Sequence, residues 1–294
     1  MVKVFKNQKG REQVLKSYDN LLELWDTDIE EVNLQTRYGI THCIKSGNKA
    51  NPPLLMFHGV GDNSAVMWIL NIKELAKHFY CIAVDTIGGP GKSIPNENFV
   101  KNKFNQVEWI NEIVQQLQIN NFNIVGISNG AYMAYNYLTH EKEKVNKVIC
   151  LEGGMVTGNP MISMLKTIFL LFPQILVPNR NNLISIMKKL TSPESNFFEQ
   201  CPEVVEHMIM LMRKHNQKAM FIHKLEKYDK HKGRQVKDKL NFLIGEYRLE
   251  DKKAFTCILN EGGFNYETIG GAGHGINHEQ PQKINSKIIQ YLLN

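Results

Sequence analysis

The chain has 294 residues, 43% of them hydrophobic and 22% charged, with a net charge of +6. These proportions exclude a wholly disordered chain, and the length suffices for one large α/β domain or a domain carrying an insertion. The charge is local: residues Arg213 to Lys239 hold ten Lys/Arg against three Asp/Glu, a balance of +7 there and −1 elsewhere, which argues against nucleic acid as a partner.

Taken in order, residues 11–25 have apolar positions on one helical side (Val14, Leu15, Tyr18, Leu21, Leu22 and Trp25). Residues 31–46 read as a hairpin turning at Tyr38-Gly39. Continuous apolar runs follow at 54–57, 80–84, 122–127, 148–151 and 240–244, and a further strand-like run spans 264–269. Helix-compatible stretches at 64–77, 106–117 and 131–140 separate the earlier runs, and one at 282–293 ends the chain. Apolar strands alternating with helices predict an α/β fold with a mostly parallel sheet covered on both faces, its function at the carboxyl ends of the strands.

The alternation stops after Gly154 and resumes near Lys239. Residues 155–232 are therefore expected to form an inserted helical cap, with residues 1–154 and 233–294 as the core. Eight of the twelve methionines lie between Met155 and Met220, and such adaptable side chains suit a pocket for varied apolar groups or simple core filling. The basic segment reads as a solvated helix face. The apolar stretch from Met161 to Val177 carries Lys166 and Pro173 and is too short to span a bilayer, so no stable membrane insertion is expected. The N-terminus lacks a signal-like apolar core, and the five cysteines are odd in number and scattered. Cys81, Cys150 and Cys257 fall in strand-like runs. The set reads as buried free thiols in the cytoplasm.

The chemistry concentrates at Gly126-Ile127-Ser128-Asn129-Gly130. A strand ending in Gly-x-Ser-x-Gly before a helix is the pattern of a nucleophile elbow, in which a strained turn exposes the serine hydroxyl. Side chains at Gly126 or Gly130 are expected to collide with neighbouring backbone, and the helix start directs free N–H groups at developing negative charge. Three more motifs fall at strand ends: His58-Gly59-Val60-Gly61, the run from Asp85 to Ser93, and Ala272-Gly273-His274-Gly275. Within the second, Gly91-Lys92-Ser93 imitates the end of a phosphate-binding loop. Thr86 stands where that motif needs glycine and Pro95 blocks a following helix, so a tight structural turn is the better reading.

With these ordered motifs the chain resembles the α/β-hydrolase family over nearly its whole length, and within it small bacterial carboxylesterases. The resemblance implies Ser128 as nucleophile, His274 as its base, and the backbone N–H groups of Val60 and Asn129 as the oxyanion hole. His58 is expected to serve the loop structurally. His207, His215, His223 and His231 recur every eight residues, a spacing that drifts around a helix, so no metal site is expected. The family's usual position for the acid, three residues after Gly245, holds Arg248, which cannot accept a histidine N–H. Glu152, at the end of the strand beside the serine's, is the first candidate and Glu250 the second, with Glu246 and Asp251 remaining open. The expected activity is hydrolysis of carboxylic esters with apolar groups through an acyl-serine, on a small-molecule substrate and without cofactor. Acyl transfer, or a binding protein with a damaged triad, are the alternatives.

Overall fold

The computed structural model describes residues 1–158, 172, 174–247 and 252–294. Helix α1 (Gln8–Glu23) starts earlier than periodicity predicts, because the Asn7 side chain accepts the Gly10 N–H and caps it. Strands β1 (Ile29–Thr36) and β2 (Gly39–Ser46) form the expected antiparallel hairpin. β3 (Pro53–Phe57), α2 (Ser64–Met67), α3 (Ile72–Leu75), β4 (Tyr80–Val84), β5 (Ile94–Pro95), α4 (Gln106–Gln116), β6 (Phe122–Ile127), α5 (Asn129–His140) and β7 (Val145–Leu151) follow. After β7 come α6 (Arg180–Leu190), α7 (Phe197–Gln200), α8 (Pro202–Lys214) and α9 (Lys230–Arg234). The chain ends with β8 (Leu240–Gly245), α10 (Lys252–Gly262), β9 (Asn265–Ile269), α11 (Ile276–Glu279) and α12 (Pro281–Leu293).

The strands form one sheet in the order β1-β2-β4-β3-β6-β7-β8-β9, with β5 against β2. From β4 across to β9 all neighbours are parallel, while β1, β2 and β5 add antiparallel pairs at one end. The two faces follow from the period of two along each strand. Leu54 and Met56 of β3 face a layer holding Val14, Tyr18 and Leu21 of α1 and Ile284 and Ile288 of α12. Leu55 and Phe57 face the opposite layer, with Trp109 and Ile113 of α4 and Met133 of α5. Both faces are buried, which is why these strands read as unbroken apolar runs.

Four expectations need correction. The single helix over 64–77 is two short ones, because the chain turns at Trp68–Asn71. There the Asn71 side chain donates to Asn285 Oδ1 (2.8 Å), a tertiary bond that periodicity cannot reveal. Cys257 is not in a strand: it lies exposed on α10, whose apolar Phe255, Ile258 and Leu259 have helical spacing. Cys43, Cys81 and Cys150 are buried free thiols, and burial pushes each thiol pKa up. Cys201 is half-buried. The basic segment is no continuous helix face. It runs through the end of α8, a 3-10 turn at Gln217–Ile222, α9 and a second 3-10 turn at Lys237–Lys239.

Residues 155–232 interrupt the strand alternation between β7 and β8, and their described part is helical. α8 packs on α1, and backbone bonds Lys6 N–H to Lys214 O (2.9 Å) and Asn216 N–H to Val4 O (2.8 Å) tie the segment to the N-terminus. Met187, Met208, Met210 and Met212 pack with the core layer below, so these four act as filler; Met161 and Met164 lie outside the described residues. Most of the apolar stretch 161–177 does too. Among the described residues, no helix is long and apolar enough to cross a membrane.

Candidate active site

Five loops converge at the carboxyl ends of the parallel strands. Ser128, between β6 and α5, has φ 55° and ψ −115°, a left-handed strain that a non-glycine residue adopts only when its surroundings fix it. The surroundings do so by crowding. A Cβ on Gly126 would lie 2.2 Å from Gly130 O, and one on Gly130 would lie 2.2 Å from Phe57 O. The Ser128 N–H bonds to Leu151 O (2.8 Å), so the elbow is fastened to the end of β7.

Glu152 leaves that same end of β7, also in a strained conformation (φ 49°). Its side chain is fully buried. Oε1 accepts the Gly245 N–H at 2.5 Å, and Oε2 lies 3.3 Å from His274 Nδ1. The Gly245 bond holds one oxygen and leaves the other to receive the imidazole N–H. This arrangement fixes a tautomer: Nδ1 carries the proton and Nε2 is free to accept one. Glu246, by contrast, turns away, its Oε2 accepting from Gly271 N–H (3.0 Å). Glu250 and Asp251, like Arg248, lie outside the described residues.

His274 is 37% exposed at its side chain, and its backbone N–H bonds to Leu190 O (2.6 Å) at the end of α6. Its turn is held by a residue that sequence reasoning missed. The Glu279 carboxylate accepts from Ser192 N–H (2.6 Å) and Gly273 N–H (3.0 Å). Burial raises the pKa of Glu279, and these backbone bonds pull it back only in part. The clue available was a carboxylate five residues after the histidine in a glycine-rich turn. No hydrogen bond joins Ser128 to His274 in this structure; both border the Glu152-Gly153 turn, where a Cβ on Gly153 would lie 2.5 Å from Ser128 O. Hydrogen bonds of this kind often tighten only with substrate bound.

Val60 sits 54% exposed in a turn closed by Asp62 N–H on Gly59 O (3.4 Å), and Asn129 opens α5. Among the described residues, neither backbone N–H has a protein acceptor, so both are free for an anion at the helix start. His58 braces the first loop from beneath. It donates from Nδ1 to Gly59 O (2.8 Å) and accepts the Thr86 N–H at Nε2 (2.9 Å), and burial lowers its pKa, keeping it neutral.

The Asp85 loop is structural in the same sense. Buried Asp85 accepts from Ser64 N–H (2.9 Å), Lys92 N–H (2.7 Å) and Tyr18 OH (3.0 Å) and lies 3.2 Å from His42 Nδ1. Burial alone would raise its pKa, but the His42 contact and these donors outweigh it and hold the carboxyl well below the usual range. The Gly91 to Ser93 turn is thus wrapped on a carboxylate, and a Cβ on Gly91 would fall 2.3 Å from it. Among the described residues, no group of three His, Cys, Asp or Glu side chains could hold a metal ion.

A mostly parallel sheet with helices on both faces, a serine elbow and a late histidine loop define the α/β-hydrolase fold. A family profile described as the α/β hydrolase fold matches residues 52–179. The naproxen esterase (carboxylesterase NP) of Bacillus subtilis superimposes with a TM-score of 0.81 at 21% identity, covering 98% of this chain and 100% of that one. In sequence, carboxylesterase YbfK of Bacillus subtilis is 33% identical over 136 residues, 46% of this chain, and the uncharacterized carboxylesterase nap of the same organism is 32% identical over 136 residues. The chain spans a little under half the length of these curated relatives, 45% of each. The chain has the α/β-hydrolase fold and resembles small bacterial carboxylesterases.

Proposed function

We propose that the protein hydrolyses carboxylic esters through an acyl-serine intermediate. Ser128 Oγ attacks the ester carbonyl carbon while its proton passes to His274 Nε2. The N–H groups of Val60 and Asn129 hold the oxyanion. Collapse of the tetrahedral intermediate expels the alcohol, which takes the proton from the imidazolium. Water then repeats the sequence with His274 as base, releasing the carboxylic acid and freeing the serine. Glu152 holds the imidazole in the required tautomer and stabilises its charged form.

The observation that carries this reading is the 3.3 Å approach of Glu152 to His274 Nδ1 beside the strained Ser128 elbow. The names of the two Bacillus relatives agree with it. It offers an acid where the family's usual position holds arginine, which supports an intact triad over a damaged one. The buried thiols suit a reducing compartment, and the proposal places the enzyme in the cytoplasm.

A fluorophosphonate probe tests the chemistry. Wild type should be labelled stoichiometrically and Ser128→Ala not at all; an inert, folded wild type would overturn the esterase and favour a binding protein. We further propose that residues 155–232 cap the site and accept the ester's apolar part. Lengthening the acyl chain should then raise kcat/KM about fourfold per methylene, the equivalent of about 0.8 kcal/mol, until the pocket is full. Equal rates across the series would remove the cap from substrate recognition.

A further inference from the structure

Asp62 has no part in the mechanism above, yet it stands inside the site. Two residues beyond Val60, it follows Gly61 (φ 79°), whose left-handed backbone lets the chain reverse there. The carboxylate comes back over the loop. A Cβ built on Gly59 would lie 3.2 Å from Asp62 Oδ2 and 3.6 Å from Ser128 Cβ, so one glycine separates the carboxylate from the nucleophile's side chain. His274 is close enough to act on Asp62 electrostatically.

Two other polar side chains of the loop, His58 and Asn63, are engaged. His58 is bonded at both ring nitrogens, and Asn63 donates to Pro90 O (3.1 Å) and lies 3.0 Å from His207 Nε2. Asp62 differs. Among the described residues, no donor hydrogen-bonds to its side chain and no Lys or Arg pairs with it. Desolvation pushes its pKa from 3.8 up to about 6, with the His274 imidazole pulling the other way. A half-buried carboxylate without a counter-ion is costly unless something brought to the site supplies the charge.

Resting on the esterase reading, we propose that Asp62 is the specificity determinant of the site and selects esters carrying a cationic amine within a few bonds of the reacting carbonyl. For a neutral ester an ionised Asp62 works against catalysis, because a second negative charge develops close by on the carbonyl oxygen. A substrate ammonium removes that penalty. It pairs with the carboxylate and screens it from the oxyanion held at Val60 and Asn129. The discrimination is then electrostatic, made in a partly desolvated pocket where a charge pair is worth more than in water.

The test compares isosteric esters that differ only in charge: the choline ester of a short fatty acid against its 3,3-dimethylbutyl ester. As an acyl-side pair it compares the ethyl ester of betaine with that of 3,3-dimethylbutanoic acid, each rate taken relative to that ester's own hydroxide-catalysed hydrolysis. Wild type should favour the cationic member of at least one pair by tenfold or more in kcat/KM. Asp62→Asn should bring that ratio to within about twofold of unity. If Asp62 served only the loop's fold or the His274 imidazolium, the variant would slow both members equally and leave the ratio unchanged, which would overturn the proposal. A wild-type ratio near one for both pairs would also overturn it. Failure of the esterase reading looks different: no ester of either kind is turned over and Ser128 takes no fluorophosphonate label.

Discussion

Glu152→Gln should lower kcat by about 10³- to 10⁴-fold with little change in KM, although the substitution only replaces one carboxylate oxygen by an NH2 group. The reason lies in the bond to Gly245. The Gly245 N–H points at Oε1 from 2.5 Å and needs an acceptor, so a glutamine must place its carbonyl oxygen there. Its NH2 group is then turned to His274 Nδ1, at the position Oε2 holds 3.3 Å away. A donor facing Nδ1 forces the imidazole proton onto Nε2, the nitrogen that has to receive the proton of Ser128. The ring would keep its place but lose its function as a base. Steady-state kinetics on any turned-over ester, with circular dichroism to show a retained fold, provide the measurement. Glu246→Gln is the control: its carboxylate is committed to Gly271 N–H, and kcat should stay within about twofold. If Glu152→Gln kept wild-type kcat, the acid would have to be Glu250 or Asp251 on the loop after β8.

The fate of Glu152 also shows how far the sequence could be read. That a carboxylate stood at the end of β7, beside the serine's strand, followed from the order of the apolar runs. That its carboxylate is held between His274 and the Gly245 N–H was not legible, because Gly245 belongs to a strand ninety-three residues further on. The parallel strands were legible because both their faces are buried and their composition leaves no alternative. The elbow was legible because strain and crowding restrict Gly126 and Gly130 to glycine. Asp62 was not, since a carboxylate in a glycine-rich loop looks like an ordinary turn residue until its lack of partners is seen. Glu279 was hidden for the opposite reason: its importance lies in backbone N–H groups, which every residue has. Composition left the methionines open between pocket lining and core filling, and those at 187, 208, 210 and 212 pack with the core layer.

The eight-residue spacing of histidines has a meaning of its own, and it predicts steep acid destabilisation. His207 donates to Ser17 Oγ (2.8 Å) and accepts from Asn63 Nδ2 (3.0 Å). His215 donates to Gly88 O (3.0 Å), and His223 donates to Ile87 O (2.8 Å) while accepting from Gln106. These three side chains fasten the segment containing α8 to the loops after β3 and β4, and His278 similarly donates to Val66 O (3.0 Å). Desolvation lowers all four from 6.5 to about 4, so each is neutral in the fold. The unfolded chain takes up these protons near pH 6.5 and the native one only near 4. Their stabilisation is therefore complete above pH 6.5 and is lost as pH falls to 4, at about 1.4 kcal/mol per pH unit for each ring. Asp62 and Glu279 oppose this, because their raised pKa values let the folded state bind protons first. The histidines outnumber them, and Tm should fall by about 5 to 10 °C between pH 7 and pH 5. Thermal melts across that range measure it. His215→Gln supplies the sharper check: its amide can still donate to Gly88 O but cannot titrate, and His215 Nδ1 has no partner to lose. The variant should show a shallower slope of stability with pH, by about one proton's worth. An unchanged slope would mean that His215 is not what acid attacks, and a flat wild-type profile would mean that none of the four is.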